Sequence, residues 1–417
     1  MKCKVEFSVY KALHITHNDS DGIGCGLITH YIEERNIEAP WIDTKIPFAK
    51  DRTEFMTIPT AIKTITSVIT TFLEIMNGKD IEDLNKDIIE KYVFVDEADT
   101  HEYGLATLPS VIYVSDLPVN EDLIQLINEY LEYNSKSAIV GDTDKKLIWF
   151  DHHESTKKYT DPKYGISDWF IHSEKEYPGE NISAAELMAR YFEDRYLDVL
   201  REDPPTKAAM YVFDDLVVDI SRYDTWEWRK NPQSDNVEEC TEWYTQALIS
   251  AYKNPYIAFD KIVECIESGK TIYDYNEFLL VYNIRNIALE SAIFAAKKNY
   301  RRVKLADIDP EKFADMDYNV ALMVADSPYG SLVMESLYNN EQDIDIVISI
   351  YPTSKNLSFR CSFNRKDIHV NEIAERIGGG GHPAAAGANV SKETILHVFD
   401  LYYSTEPASK LANTHAE

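Results

Sequence analysis

Four groups of residues in this chain offer carboxylates or imidazoles at positions that could do chemistry. His17, Asp19 and Asp21 alternate in HNDSDG, Asp116 ends an apolar run in VSD, and Asp151, His152 and His153 end another in FDHH. A further acidic pair, Asp219 and Asp224, lies in DISRYDTW. Mixed oxygen and imidazole donors without cysteine suit Mn²⁺, Co²⁺ or Fe²⁺ better than structural zinc. A pair of such ions about 3.5–4 Å apart acidifies a bound water and stabilises charge on a phosphoryl group. Each group alone has a plainer reading. HNDSDG could be a solvated turn, although it lacks the continuation of an EF-hand loop, and Asp116 could cap the helix that follows it. Taken together and in order, the groups are hard to explain as turns.

A second signal is RIGGGGHPAAAG, where Gly378 to Gly381 precede His382. Consecutive glycines let backbone amides approach an anion closely. Arg360 and Arg365 lie just upstream, and arginine suits bidentate phosphate contacts.

The elements that must position these residues alternate. ALHIT, KYVFVDEADT, SVIYVSDLPV and KKLIWFDHHES read as strands ending in acid, separated by helical stretches such as EDLIQLINEYLEYN. That order predicts a mainly parallel α/β sheet, whose ligands gather at the carboxyl ends of strands. On an extended segment the alternation of His17, Asp19 and Asp21 would project all three the same way. Residues 51–90 read as an insertion, 236–302 as a helical connector, 303–405 as a smaller α/β domain and 406–417 as a flexible tail, leaving 1–235 as the first domain.

With 417 residues the chain can hold two domains. No stretch approaches the roughly 18 uninterrupted apolar residues of a membrane span, and Lys4, Glu6 and Lys11 break any signal-peptide core; a cytoplasmic location is the expectation. The five cysteines form no CxxC pair, which excludes a zinc ribbon. A net charge of −29 with no basic run argues against a protein that tracks long nucleic acid. A phosphate substrate would be short and held by a few local cations.

In this order the motifs THNDSDG, VSD, DHH, YDTW and GGGGHPAAAG resemble those of the DHH–DHHA1 phosphoesterase superfamily, over roughly residues 10 to 395. Within it HNDSDGIGCG, SDLPVNE and YDTWEW are most similar to nanoRNase B-type oligoribonucleases. The resemblance implies an N-terminal DHH domain, a helical connector and a C-terminal DHHA1 domain, with the active site in the cleft between them. It implies two divalent ions, typically Mn²⁺ with Co²⁺ or Mg²⁺ as alternatives. His17 and Asp19 would bind one ion, Asp21, His152 and Asp224 the other, and Asp116 would bridge. Asp96 competes for the bridge and Asp219 for the place of Asp224. Asp151 would orient its neighbouring histidine and His153 would contact the scissile phosphate. Arg360 and His382, with the amides of Gly379, Gly380 and Gly381, would hold the rest of the substrate. The arginine strand SFRCSFNRKD departs from the family's Arg-Ser pair.

The expected activity is exonucleolytic hydrolysis of short oligoribonucleotides to nucleoside monophosphates. Alternatives on the same machinery are a 3′-phosphoadenosine 5′-phosphate phosphatase, a linear or cyclic dinucleotide phosphodiesterase and a RecJ-like single-strand DNA exonuclease. A non-catalytic nucleotide-sequestering protein is the alternative of another class. Expected partners are short RNA or a dinucleotide, with no membrane; a homodimer stays open.

Overall fold

The structure is a computed structural model and describes residues 4–5, 12–33, 52–77, 79, 83–88, 94–96, 105–107, 111–136, 146–201, 204–231, 239–324, 330–341, 343–362 and 365–408. It divides into two compact units, Met1–Val281 and Tyr282–Glu417.

Numbered along the chain, β1 (Lys4–Val5), β4 (Phe94–Asp96) and β5 (Leu105–Thr107) form a small separate sheet. The main sheet of the first unit holds β2 (Ala12–His17), β3 (Arg52–Met56), β6 (Val111–Ser115), β7 (Lys146–Asp151) and β8 (Phe170–His172). Its order is β3-β2-β6-β7-β8, and every pairing is parallel. Runs such as VIYVS and KLIWFD are apolar on both faces because helices cover both sides of such a sheet. Ile15, Val114, Trp149 and Phe150 are fully buried. Register matters most here. Thr16 pairs with Ser115 and Ser115 with Phe150, so His17, Asp116 and Asp151 each follow one shared row at the carboxyl edge.

The described part of 51–90, the segment expected as an insertion, contributes to the first unit's own sheet and core. β3 is the edge strand of the main sheet, and helix Ile58–Met76 puts Ala61, Ile65, Val68, Ile69 and Phe72 into the core beneath it. The β-branched content of TAIKTITSVITTF disguises an ordinary amphipathic helix. Helices Thr241–Ala251 and Pro255–Glu267 pack on helix Pro204–Asp224 and belong to the first unit. The division falls inside helix Asn276–Asn299. By length and composition this helix could cross a membrane, which the expectation of no such segment did not anticipate. Arg285 and Glu290 interrupt its apolar run, which is why a search for uninterrupted apolar residues passes over it.

The second unit carries a six-stranded sheet of β9 (Arg301–Lys304), β10 (Asn319–Val324), β11 (Ile346–Tyr351), β12 (Asn356–Arg360), β13 (Gly380–His382) and β14 (Ala385–Asn389). The order is β13-β14-β12-β11-β10-β9, with only β10 and β11 parallel. Pro407 bridges Arg301, and the Ala408 N–H donates to Tyr300 O at 3.1 Å. The expected flexible tail otherwise falls on 409–417, outside the described residues.

Candidate metal centre

His17 is the last residue of β2, and the chain turns at once into helix Ser20–Glu33. Asp19 is the N-cap of that helix: its carbonyl accepts from Ile23 N–H and its Oδ1 from Gly22 N–H, both at 3.0 Å. Asp21 sits in the first helical turn. Strand alternation therefore does not align the three, as expected from the sequence; the strand-to-helix turn does. Gly22 makes the turn possible, because a Cβ there would stand 1.9 Å from the His17 carbonyl oxygen.

Asp21 is fully buried and reaches across the sequence. Its carboxylate accepts from Ala184 N–H at 2.9 Å and Ala185 N–H at 3.0 Å, at the start of helix Ala184–Arg201. These are orphan donors of a helix N-terminus, where negative charge is favoured. Gly24 keeps the two helices close, since a Cβ on it would lie 2.8 Å from Ala185 Cβ.

Asp116 follows β6 with φ of 54°, a left-handed conformation that is uncommon outside glycine. Its N–H donates to Phe150 O at 3.0 Å, and the Trp149 indole donates to Leu117 O at 2.7 Å, so β7 clamps both sides of the turn. Asp116 caps no helix; Asn120 does, accepting from Leu123 N–H. Buried Asp116 Oδ2 has no hydrogen-bond donor. The Nδ1 of His17 is 3.5 Å away but lies closer to Asp19 Oδ2, at 2.6 Å.

His152 Nε2 lies 3.3 Å from Asp116 Oδ1, 3.4 Å from Asp224 Oδ2 and 3.8 Å from Asp21 Oδ2. Among the described residues three sets of donor atoms have the mutual spacing of a cation site: His17, Asp19 and Asp116; Asp21, His152 and Asp224; and Asp116, His152 and His153. Asp116 belongs to two of them. Asp219 joins none, because its carboxylate accepts from Thr245 Oγ1 and Tyr273 OH and ties helices together. Asp96 ends β4 in the separate sheet.

The cluster asks for positive charge. Burial, then the charges of Asp19 and Asp21, push Asp116 well above the usual carboxylate range. Burial and Asp21 do the same to Asp224. Burial works against a charged His17, but Asp19 and Asp116 outweigh it and raise the ring to about 11. Hard oxygen donors, imidazoles and an orphaned buried carboxylate oxygen fit divalent ions.

Asp151 serves His153. Its Oδ1 accepts from the His152 and His153 backbone N–H groups and lies 2.6 Å from His153 Nδ1, while Oδ2 accepts from the Thr156 hydroxyl. Burial opposes charge on both partners. Their mutual hydrogen bond overcomes it, lowering Asp151 and raising His153. His172 Nε2 also lies 3.2 Å from His153 O. Thr156 and His172 escaped the sequence reading, as did the amides that hold Asp21; only a threonine in DHHEST hinted at the first. Beneath the site, His14 Nε2 lies 2.7 Å from Ser115 Oγ and Nδ1 2.9 Å from Thr29 Oγ1. Burial drives its pKa down to about 3, so the ring is neutral.

In the second unit, Arg360 pairs with Ala385 and Ala385 with His382, which sets Arg360 and His382 in one row on one face of the sheet. Arg360 donates to Phe359 O, Ser358 Oγ and Ser331 Oγ, and has no carboxylate partner among the described residues. Arg365 is instead committed to Asp345 and Asp367, at 3.0 Å each. The glycines, expected as an amide cradle, also have packing roles. Gly378, at φ 82°, and Gly379 end helix Val370–Glu375, their N–H groups donating to Glu375 O and Ala374 O as in a Schellman cap. A Cβ on Gly379 or Gly381 would collide with β14, so these two serve close strand packing; Gly378 and Gly380 border open space.

A family model for the DHHA1 domain matches residues 328–403. With the parallel sheet and its edge of acid and histidine, this match supports the resemblance to the DHH–DHHA1 superfamily. It is similar to oligoribonuclease NrnB of Bacillus subtilis (strain 168), 23% identical over 390 residues that cover 93% of this chain and 74% of the relative. Among solved structures it is similar to a DHH domain described as a member of the s1p family of ribosomal proteins. That match has a TM-score of 0.53, 13% identity and coverage of 94% and 86% of the two chains. A manganese-bound exonuclease RecJ matches with a TM-score of 0.45 and 12% identity over 95% and 91%.

Proposed function

We propose that this chain is a metal-dependent phosphodiesterase that hydrolyses short oligoribonucleotides to nucleoside monophosphates. The observation that carries the reading is Asp116, a buried carboxylate shared by two donor sets at the carboxyl edge of the sheet. His17 and Asp19 would hold one divalent ion, Asp21, His152 and Asp224 a second, with Asp116 between; Mn²⁺ suits these donors, and Co²⁺ or Mg²⁺ could replace it. Bound there, the ions supply an acidified water and offset the charge of a phosphoryl group under in-line attack.

The chain's own residues do the rest. Asp151 fixes the His153 ring through Nδ1 and raises its affinity for a proton, so its other nitrogen could donate to a phosphate oxygen. Arg360 and His382 would hold a second phosphate or the terminal nucleotide. Asp21 and Asp224 stay placed because their helices are packed and capped. Similarity to NrnB supports an RNA substrate. The charge of −29 supports a short one. So does the commitment of Arg190, Arg302, Arg365 and Arg376 to carboxylates of the chain itself.

The test incubates the protein and Mn²⁺ with labelled RNA and DNA of graded length, 3′-phosphoadenosine 5′-phosphate and cyclic dinucleotides. Fastest turnover is expected on RNA of a few nucleotides. Preference for long strands would overturn the short-substrate reading, and binding without turnover would make the protein a nucleotide-sequestering one.

A further inference from the structure

Helix Asn276–Asn299 has two apolar faces, and among the described residues only one is packed against a core. Leu289, Ala292, Ile293 and Ala296 pack on the second unit's core around Tyr300, Ala321 and Val333. On the other side Leu280, Ile284, Ile287 and Phe294 are 60%, 60%, 70% and 62% exposed. They recur at spacings of four, three and seven, which is one stripe of a helix extending about 21 Å. Isolated exposed apolar residues are ordinary; four large ones in a row mark an interaction site.

We propose that this stripe pairs with the same stripe of a second copy, the two helices running antiparallel across a two-fold axis near Ile287. The helix carries Glu277 at its start and Lys297 and Lys298 at its end. An antiparallel partner brings the acidic start of each copy to the basic end of the other, whereas a parallel one would set like charges together. Glu277 and Lys297 are well exposed, Glu277 also pairing with Lys261 at 3.3 Å. Ile287 stands midway between Leu280 and Phe294, and also between Glu277 and Lys297, so the surface is self-complementary, as a two-fold contact requires. A lipid bilayer is the less favoured occupant. Arg285 is buried on the docked side, and that side already packs against protein, which fixes the helix at the surface.

The test is sedimentation velocity of the full chain at micromolar concentrations and physiological salt, where repulsion between acidic copies is screened within about 8 Å. The wild type is expected to self-associate, and Ile287→Glu to weaken this at least about tenfold by setting two carboxylates face to face. Circular dichroism should show both equally folded, the site being exposed. Under mild oxidation Ile287→Cys should form a covalent dimer and Leu280→Cys should not, because residues 280 of the two copies lie far apart. A monomeric wild type, association unaffected by Ile287→Glu, or cross-linking through Leu280→Cys would each overturn the proposal. So would capture of a monomer by phosphatidylcholine–phosphatidylglycerol vesicles.

Discussion

Asp151 and His153 are joined at 2.6 Å through Oδ1 and Nδ1, whereas His152, the middle residue of the motif, turns its Nε2 toward Asp21, Asp116 and Asp224. Adjacent histidines thus face different tasks. Asp151→Asn should lower turnover of short RNA about 10–100-fold, the usual cost of losing an orienting partner. Manganese affinity, read by calorimetry, should change far less than in His152→Ala.

Asp116→Ala removes the carboxylate shared by two donor sets and should cut turnover by about a hundredfold or more. Asp96→Ala should stay active. If the outcomes are reversed in the same kinetic assay, the bridging place belongs to Asp96.

Gly22→Ala places a methyl carbon against the His17 carbonyl, and both belong to backbone that cannot swing aside. Overpacking of this kind typically costs about 1–3 kcal/mol. The melting temperature should fall, and metal affinity with it, because the strand-to-helix turn carries His17, Asp19 and Asp21.

His14 makes stability depend on pH. Its folded pKa, about 3, lies below the ordinary 6.5. The unfolded chain therefore binds a proton that the folded chain refuses, and stability rises with pH across that window. The contribution is full above about pH 6.5 and falls by up to about 1.4 kcal/mol for each unit below it. In urea titrations between pH 5 and pH 8 (roughly the span around that value), His14→Asn should show a shallower dependence than the wild type.

Arg360 and Arg365 separate binding from scaffolding. Arg360→Ala should raise KM with little change in stability, since no carboxylate loses its partner. Arg365→Ala breaks a half-exposed pair of ion contacts and should cost no more than about 1 kcal/mol, with KM unchanged. Steady-state kinetics and melting curves on both variants check the contrast.

The parallel sheet and its acidic edge were legible because strand-then-acid repeats along the chain, in VSD and FDHH as in ALHITH. The helix at Ile58–Met76 was less so, since its β-branched residues mask the helical period. The donor groups could be gathered by motif, yet their geometry could not. The N-cap role of Asp19, the bonds from Asp21 to Ala184 and Ala185, and the attachment of Asp151 to His153 arise from tertiary neighbours that no local pattern encodes. The glycine run was legible only in part for a related reason. Poly-glycine marks close backbone approach, but whether to a ligand or to a neighbouring strand depends on β14.

The bonds from Ala184 and Ala185 to Asp21 span 163 and 164 residues. On a ribosome, which extends a chain by about 5–20 residues each second, Asp21 is made many seconds before the helix end that will neutralise it. Through that interval the nascent segment carries a carboxylate destined for full burial and still in need of water. The packing of the N-terminal strand and helix around Asp21 is therefore expected to be completed late. Emergence of the second half of the unit becomes the event that times assembly of the whole centre.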